Sequence, residues 1–169
     1  MLFRSAEAVR LGGVRRLVHA STIGVNDLSQ PQHGPLGEDF PIGSGGRIYG
    51  ASKVACEQLL WAYSRAYGFE LAVLRFAGIY GLGHFAGGSG IGPEILGLVR
   101  AALDGVPGRL GAGMPASYEI VHVKDVARGV ALAATVPSLP HHVYNIGQGE
   151  LVEPHDVLAA AARAFPGFT

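Results

Sequence analysis

Short runs of Val and Leu alternate along this chain with helix-length amphipathic segments, and that alternation restricts the fold more than any other feature. RRLVHA (15–20), ELAVLRF (70–76), YEIVHV (118–123) and VYNIG (143–147) are apolar runs of strand length. Runs without a polar face belong to strands covered on both sides, as in a parallel sheet. Between them, helical periodicity predicts helices over 2–11, 49–67, 93–104, 124–136 and 153–165. Gly12-Gly13 and Gly68 act as helix stops, and Pro93 falls in a first turn. Residues 26–46, rich in Gly and Pro, read as one long loop. Strands alternating with helices predict an α/β fold with mainly parallel strands.

Charge and composition narrow the function classes. The 169 residues carry 13 basic and 13 acidic side chains with no basic run, which disfavours nucleic acid and anionic membrane as partners. With 49% hydrophobic residues the chain can bury a substantial core. Its apolar stretches are broken by Gly, Arg or His well short of a bilayer span, and the opening residues do not read as a signal peptide. A single cysteine, Cys56, fits a reducing cytoplasm and forms no internal disulfide. The seven histidines show no metal-ligand spacing.

The segment YGASK places Tyr49 and Lys53 four residues apart at the start of a helix, on one face. A phenol exchanges a proton near neutral pH only with a cation close by, so the spacing permits acid/base chemistry. The hydroxyl of Thr22 follows the strand at 15–20, at the edge where open parallel sheets place their ligands. There it can orient a substrate oxygen while Tyr49 moves the proton. GLGHFA (81–86) matches a dinucleotide fingerprint, but the glycines that follow it and Pro93 deny it the helix such a turn must open, so it reads as loop. Arg75 reads as the structural partner of a carboxylate, His122 as a packed strand histidine, and Asn145 as a donor to nearby backbone.

In order, HAST, YGASK, LRFAGIYG, IVHVKDVA and YNIG resemble the extended short-chain dehydrogenases/reductases, the NAD-dependent epimerase/dehydratase family, over nearly the whole chain. The resemblance implies the C-terminal half of a Rossmann-like doubly wound parallel sheet plus a small substrate-binding α/β part. On that division, about 1–80 and 119–136 form the Rossmann remainder, and about 81–118 and 137–169 the substrate part. It implies Thr22 as the substrate-orienting hydroxyl, Tyr49 as acid/base and Lys53 as its partner on a cofactor ribose, with Ser21 beside the nicotinamide. The turn Phe76-Ala77-Gly78-Ile79 would pass over that ring. The cofactor would be NAD or NADP and the substrate a small, hydroxyl-bearing, sugar-like molecule.

Departures from the family pattern qualify this picture. The glycine-rich phosphate turn and the acidic ribose clamp have no counterpart in the sequence, so the isolated chain is expected to bind dinucleotide weakly and show little activity. Gly78 stands where nucleotide-sugar enzymes commonly carry Asn, and Tyr118 where they carry Arg; loss of that cation weakens a diphosphate grip. Beside the NAD(P)-dependent oxidoreductase, epimerase or dehydratase reading therefore stand two others: a non-catalytic truncated remnant, and a protein–protein interaction module. Helices 2–11 and 49–67 are the expected homodimer surface, by the same resemblance.

Overall fold

Strand β2 (Glu70–Phe76) anchors the first of two sheets, and every residue after Glu70 in it is buried. In this computed structural model, which describes residues 2–31, 34–83, 90–111 and 115–168, β2 lies between β1 (Arg16–Thr22) and β5 (Val143–Ile146). Both pairings are parallel. The apolar run Leu71–Leu74 within β2 is what a central strand needs when neither face meets water. The register sets Thr22 opposite Phe76 and Phe76 opposite Ile146, so the C-terminal ends of all three strands lie level. Among the described residues, β1 has no strand on its other edge.

Helices α1 (Leu2–Leu11) and α2 (Ile48–Tyr67) belong to the same unit. Ala6 and Leu60 pack with Leu71 and Val73 of β2, and Leu17, Tyr63 and Val143 close around them. Gly68 ends α2 in the left-handed conformation, φ 74°, its N–H returning to the Ser64 carbonyl; this is the stop predicted for it. Arg16 donates to the carbonyls of Ala133 and Val136 at the end of α4 (Val123–Thr135) and to Glu70. A guanidinium there satisfies carbonyls that the helix leaves unpaired.

The second compact unit holds β3 (Gly78–Tyr80), α3 (Ile91–Asp104), β4 (Tyr118–His122), β6 (Leu151–Val152) and α5 (Pro154–Ala164). Here β3 pairs parallel with β4, and β4 antiparallel with β6. The chain divides at Phe76–Ala77, Ala127–Arg128 and Ile146–Gly147. Sequence reasoning drew its boundaries elsewhere. It grouped 137–169 together, whereas β5 pairs with β2, and 119–127 fall in the second unit. Residues 78–80, read as turn and glycine-rich loop, form β3; at three residues it is too short to show a period. Of GLGHFA, residues 84–86 lie outside those described.

Gly50, between Tyr49 and Lys53, fits α2 against the segment after β1. A Cβ there would stand 2.7 Å from the Gly24 carbonyl oxygen and 3.0 Å from Ser44 Cβ. Alanine in a helix is favoured over glycine by up to about 1 kcal/mol, but collision with fixed backbone outweighs that. Gly50→Ala is expected to destabilise the protein by about 1–3 kcal/mol, read from its urea midpoint; a rise in the midpoint would contradict the close approach.

Candidate active site at the end of strand β1

Three residues at the C-terminal end of β1 each take a different partner. The Ala20 carbonyl accepts from Lys53 Nζ at 2.8 Å. Ser21 Oγ donates to Glu57 Oε1 at 2.5 Å. Thr22 Oγ1 accepts from the Gly24 N–H at 3.1 Å, capping the short 3-10 turn Ile23–Val25. Two of the partners, Lys53 and Glu57, lie one turn apart on α2, with Tyr49 a turn before them; this i, i+4, i+8 stripe faces the strand end.

Tyr49 is 61% exposed, its phenol open to solvent in the first turn of α2. Lys53 Nζ stands 5.9 Å from the centre of the Tyr49 ring. The ammonium is thus tied to the strand by one bond and lies beside the phenol, with donor capacity to spare, since an ammonium carries three N–H groups. The structure holds Lys53 at the end of β1, with the Tyr49 ring beside its Nζ, while Thr22 caps the turn that follows the strand. Ser21 is different: it is 4% exposed and its hydroxyl is committed to Glu57.

Beneath this surface lies a buried ion pair. Arg75 Nη2 meets Glu57 Oε2 at 2.8 Å, Arg75 Nε donates to Oε1 at 3.2 Å, and Nη1 donates to the Glu38 carbonyl at 3.0 Å. Glu57 is 5% and Arg75 2% exposed. Arg75 therefore has the carboxylate partner expected from its place at a strand end. Asn145 likewise serves the loop, donating its side-chain amide to the Leu36 carbonyl while its N–H goes to Glu38 Oε1. Sequence reasoning missed Glu57, although its spacing from Lys53 was a signal: a carboxylate on the buried stripe of a helix needs a partner.

His19 was also missed. Burial holds its imidazole below the ordinary pKa of 6.5, the Lys53 ammonium adds to this, and Glu57 opposes it. Its Nε2 is buried without a hydrogen-bond partner among the described residues. A neutral ring here spares the site a second positive charge beside Lys53.

Of the turn expected over a nicotinamide, Phe76 ends β2 in the first unit, while Ala77, Gly78 and Ile79 belong to the second. A Cβ on Gly78 would approach Ile91 Cγ2 to 2.8 Å and the Glu119 carbonyl to 3.2 Å, so packing excludes a side chain where an Asn is common. Tyr118, the first residue of β4, has a buried hydroxyl without a partner among the described residues; burial, then the charges of Asp156 and Glu94, raise its pKa. Among the described residues no His/Cys/Asp/Glu group has metal-binding geometry, and no helix is long and apolar enough to cross a membrane.

A parallel α/β sheet flanked by helices is the architecture of Rossmann-type folds, and solved structures agree. The chain belongs to the NAD dependent epimerase/dehydratase family, whose model matches residues 2–147. It is 26% identical over 138 residues to the UDP-glucuronate 4-epimerase of Thermodesulfobacterium geofontis, covering 82% of this chain and 40% of that protein. The solved structure of Thermus thermophilus UDP-glucose 4-epimerase, in complex with NAD, matches with a TM-score of 0.77 and 30% identity, over 96% of this chain and 52% of that one. A partial-consensus L-threonine 3-dehydrogenase shares the fold, with a TM-score of 0.84 at 23% identity over 99% of this chain and 55% of that one. The chain spans about half the length of the solved relatives it matches and about two fifths of that curated one.

The histidine carries a stability consequence. The unfolded chain takes up a proton near pH 6.5, whereas the folded state resists until lower pH. Stability from His19 is therefore complete above that value and is lost as pH falls through the folded-state pKa. Between pH 7.5 and 5.5, to use about one unit either side of the ordinary value, the natural protein is expected to lose more stability than His19→Phe; equal losses in denaturant titrations would remove the assignment.

Proposed function

We propose that this chain carries the proton-transfer site of an NAD(P)-dependent epimerase/dehydratase-type oxidoreductase. The observation that carries the reading is Lys53 Nζ, held on the Ala20 carbonyl at 2.8 Å and 5.9 Å from the Tyr49 ring centre. An exposed phenol beside a fixed ammonium at the ligand edge of a parallel sheet can take a proton from a substrate hydroxyl and return it. Thr22 would orient the substrate oxygen, and Lys53 would use its free donors on a ribose hydroxyl.

The donor set at this strand end fits the nicotinamide-ribose end of the cofactor: a phenol, an ammonium and a hydroxyl, with Phe76 closing β2 at the same edge. When bound, the nicotinamide would take up and return the hydride from the carbon bearing the hydroxyl. Phe76, at the end of β2, would offer backbone to the ring. Ser21, its hydroxyl spent on Glu57, would support the strand end from below. The UDP-sugar epimerases among the relatives support a sugar-like, hydroxyl-bearing substrate.

Calorimetric titration of the purified chain with NAD and NADP tests the reading. Saturable micromolar binding that Lys53→Met weakens tenfold or more supports it. No saturable binding leaves the non-catalytic remnant as the better account. In whichever form of the protein turns over, Tyr49→Phe is expected to cost about 10²- to 10⁴-fold in rate, and unchanged turnover would rule the phenol out.

Self-association is a second reading with its own observation. Along α1 and at the end of α2, Phe3, Leu11 and Tyr67 are 65%, 72% and 54% exposed, more apolar surface than two adjacent helices of a monomer need show. A homodimer through these helices should appear in light scattering and dissociate more readily in Phe3→Ser; a monomer at all concentrations would end this reading.

A further inference from the structure

Lys53 has a competitor for its ammonium four residues along its own helix. On α2 a lysine and a glutamate at i and i+4 stand close enough to pair, and Glu57 is the only carboxylate on that stripe. A buried, unpaired carboxylate would be a strong attractor. Yet Nζ goes the other way, to the Ala20 carbonyl at the strand end. The reason lies in what Glu57 already holds. Its two oxygens accept a forked pair of bonds from Arg75 at 3.2 and 2.8 Å and the Ser21 hydroxyl at 2.5 Å. Arg75 is itself fixed by the Glu38 carbonyl at 3.0 Å.

We propose that Arg75 and Glu57 are positioning residues: Arg75 occupies the Glu57 carboxylate so that it cannot draw the Lys53 ammonium down the helix, away from Tyr49. The arrangement has a second part. Lys53 and Glu57 grip consecutive β1 residues, Ala20 and Ser21, from one helix face. The pair that neutralises the carboxylate thereby also fixes the strand end from which Lys53 is held. A purely stabilising role explains this poorly, because buried ion pairs replaced by well-packed apolar residues are often neutral or better for stability. What the charged pair provides is a direction for a third charge. This inference rests on Lys53 being a site residue, but it concerns where the amine is held, not what it binds.

The chain contains two lysines, Lys53 and Lys124, which makes the amine directly measurable. Trace labelling with acetic anhydride, read by mass spectrometry as the ratio of Lys53 to Lys124 modification, needs neither cofactor nor substrate. Its failure is therefore distinct from failure of the titrations above. In Arg75→Met the freed carboxylate should capture Lys53 and lower the ratio about tenfold, the size of effect expected for roughly 1.4 kcal/mol of added pairing. The double variant Arg75→Met/Glu57→Gln, which removes the captor, should restore the ratio to within about twofold of natural, a margin well inside that single-variant change. A ratio unchanged or raised in Arg75→Met, or not restored in the double variant, overturns the proposal. If Arg75→Met does not fold, Arg75→Lys takes its place. One donor head cannot serve both oxygens, so the ratio should fall by about threefold, between the natural and Met values; no fall overturns the proposal equally.

Discussion

The bolting of one helix to the last residues of one strand underlies everything this chain can do. Helix α2 touches β1 through two polar bonds made one turn apart, Lys53 to the Ala20 carbonyl and Glu57 to the Ser21 hydroxyl. Apolar packing of Leu60 against Leu71 and Val73 brings the helix onto the sheet, but such contacts are non-directional and tolerate small slides. Hydrogen bonds to consecutive strand residues do not. They fix the height of Tyr49 and Lys53 at the sheet edge, and Gly50 lets the backbone come close enough for both bonds to form.

A cost accompanies that precision. Glu57 is almost wholly buried and holds its place through charge pairing with Arg75, which in turn ties down the loop at Glu38. Asn145 fastens the same loop from β5. The ends of three parallel strands are therefore tied through one polar network. His19, which disfavours its proton there, keeps further charge out. A fixed charge distribution thus lies at the strand ends, the preorganised setting in which electrostatic effects are largest.

Much of this was legible residue by residue. The strand-length apolar runs within 70–76 and 15–20 are the parallel pair β2 and β1. Glycine at 68 marked the end of α2. Tyr49 and Lys53 could be placed together because helical spacing is local information. Strands β3 and β6 could not be read, since two or three residues carry no period. The role of Ser21 could not be read either: its neighbours in sequence are Ala20 and Thr22, while its hydrogen-bond partner is 36 residues away.

By itself the sequence determined the α/β class, the order of the longer elements, the family resemblance and the helix face that carries the phenol and the amine. Each depends on spacing along the chain, which 3.6- and 2-residue periods make readable. Tertiary structure alone decided which side chains meet that face: that Glu57 lies under Ser21, that Arg75 reaches both Glu57 and the 26–46 loop, and that His19 is shielded beside Lys53. The register between β1 and β2 and the rotation of α2 about its axis fix those contacts. Both are settled by packing between residues far apart in the chain, which no local pattern records.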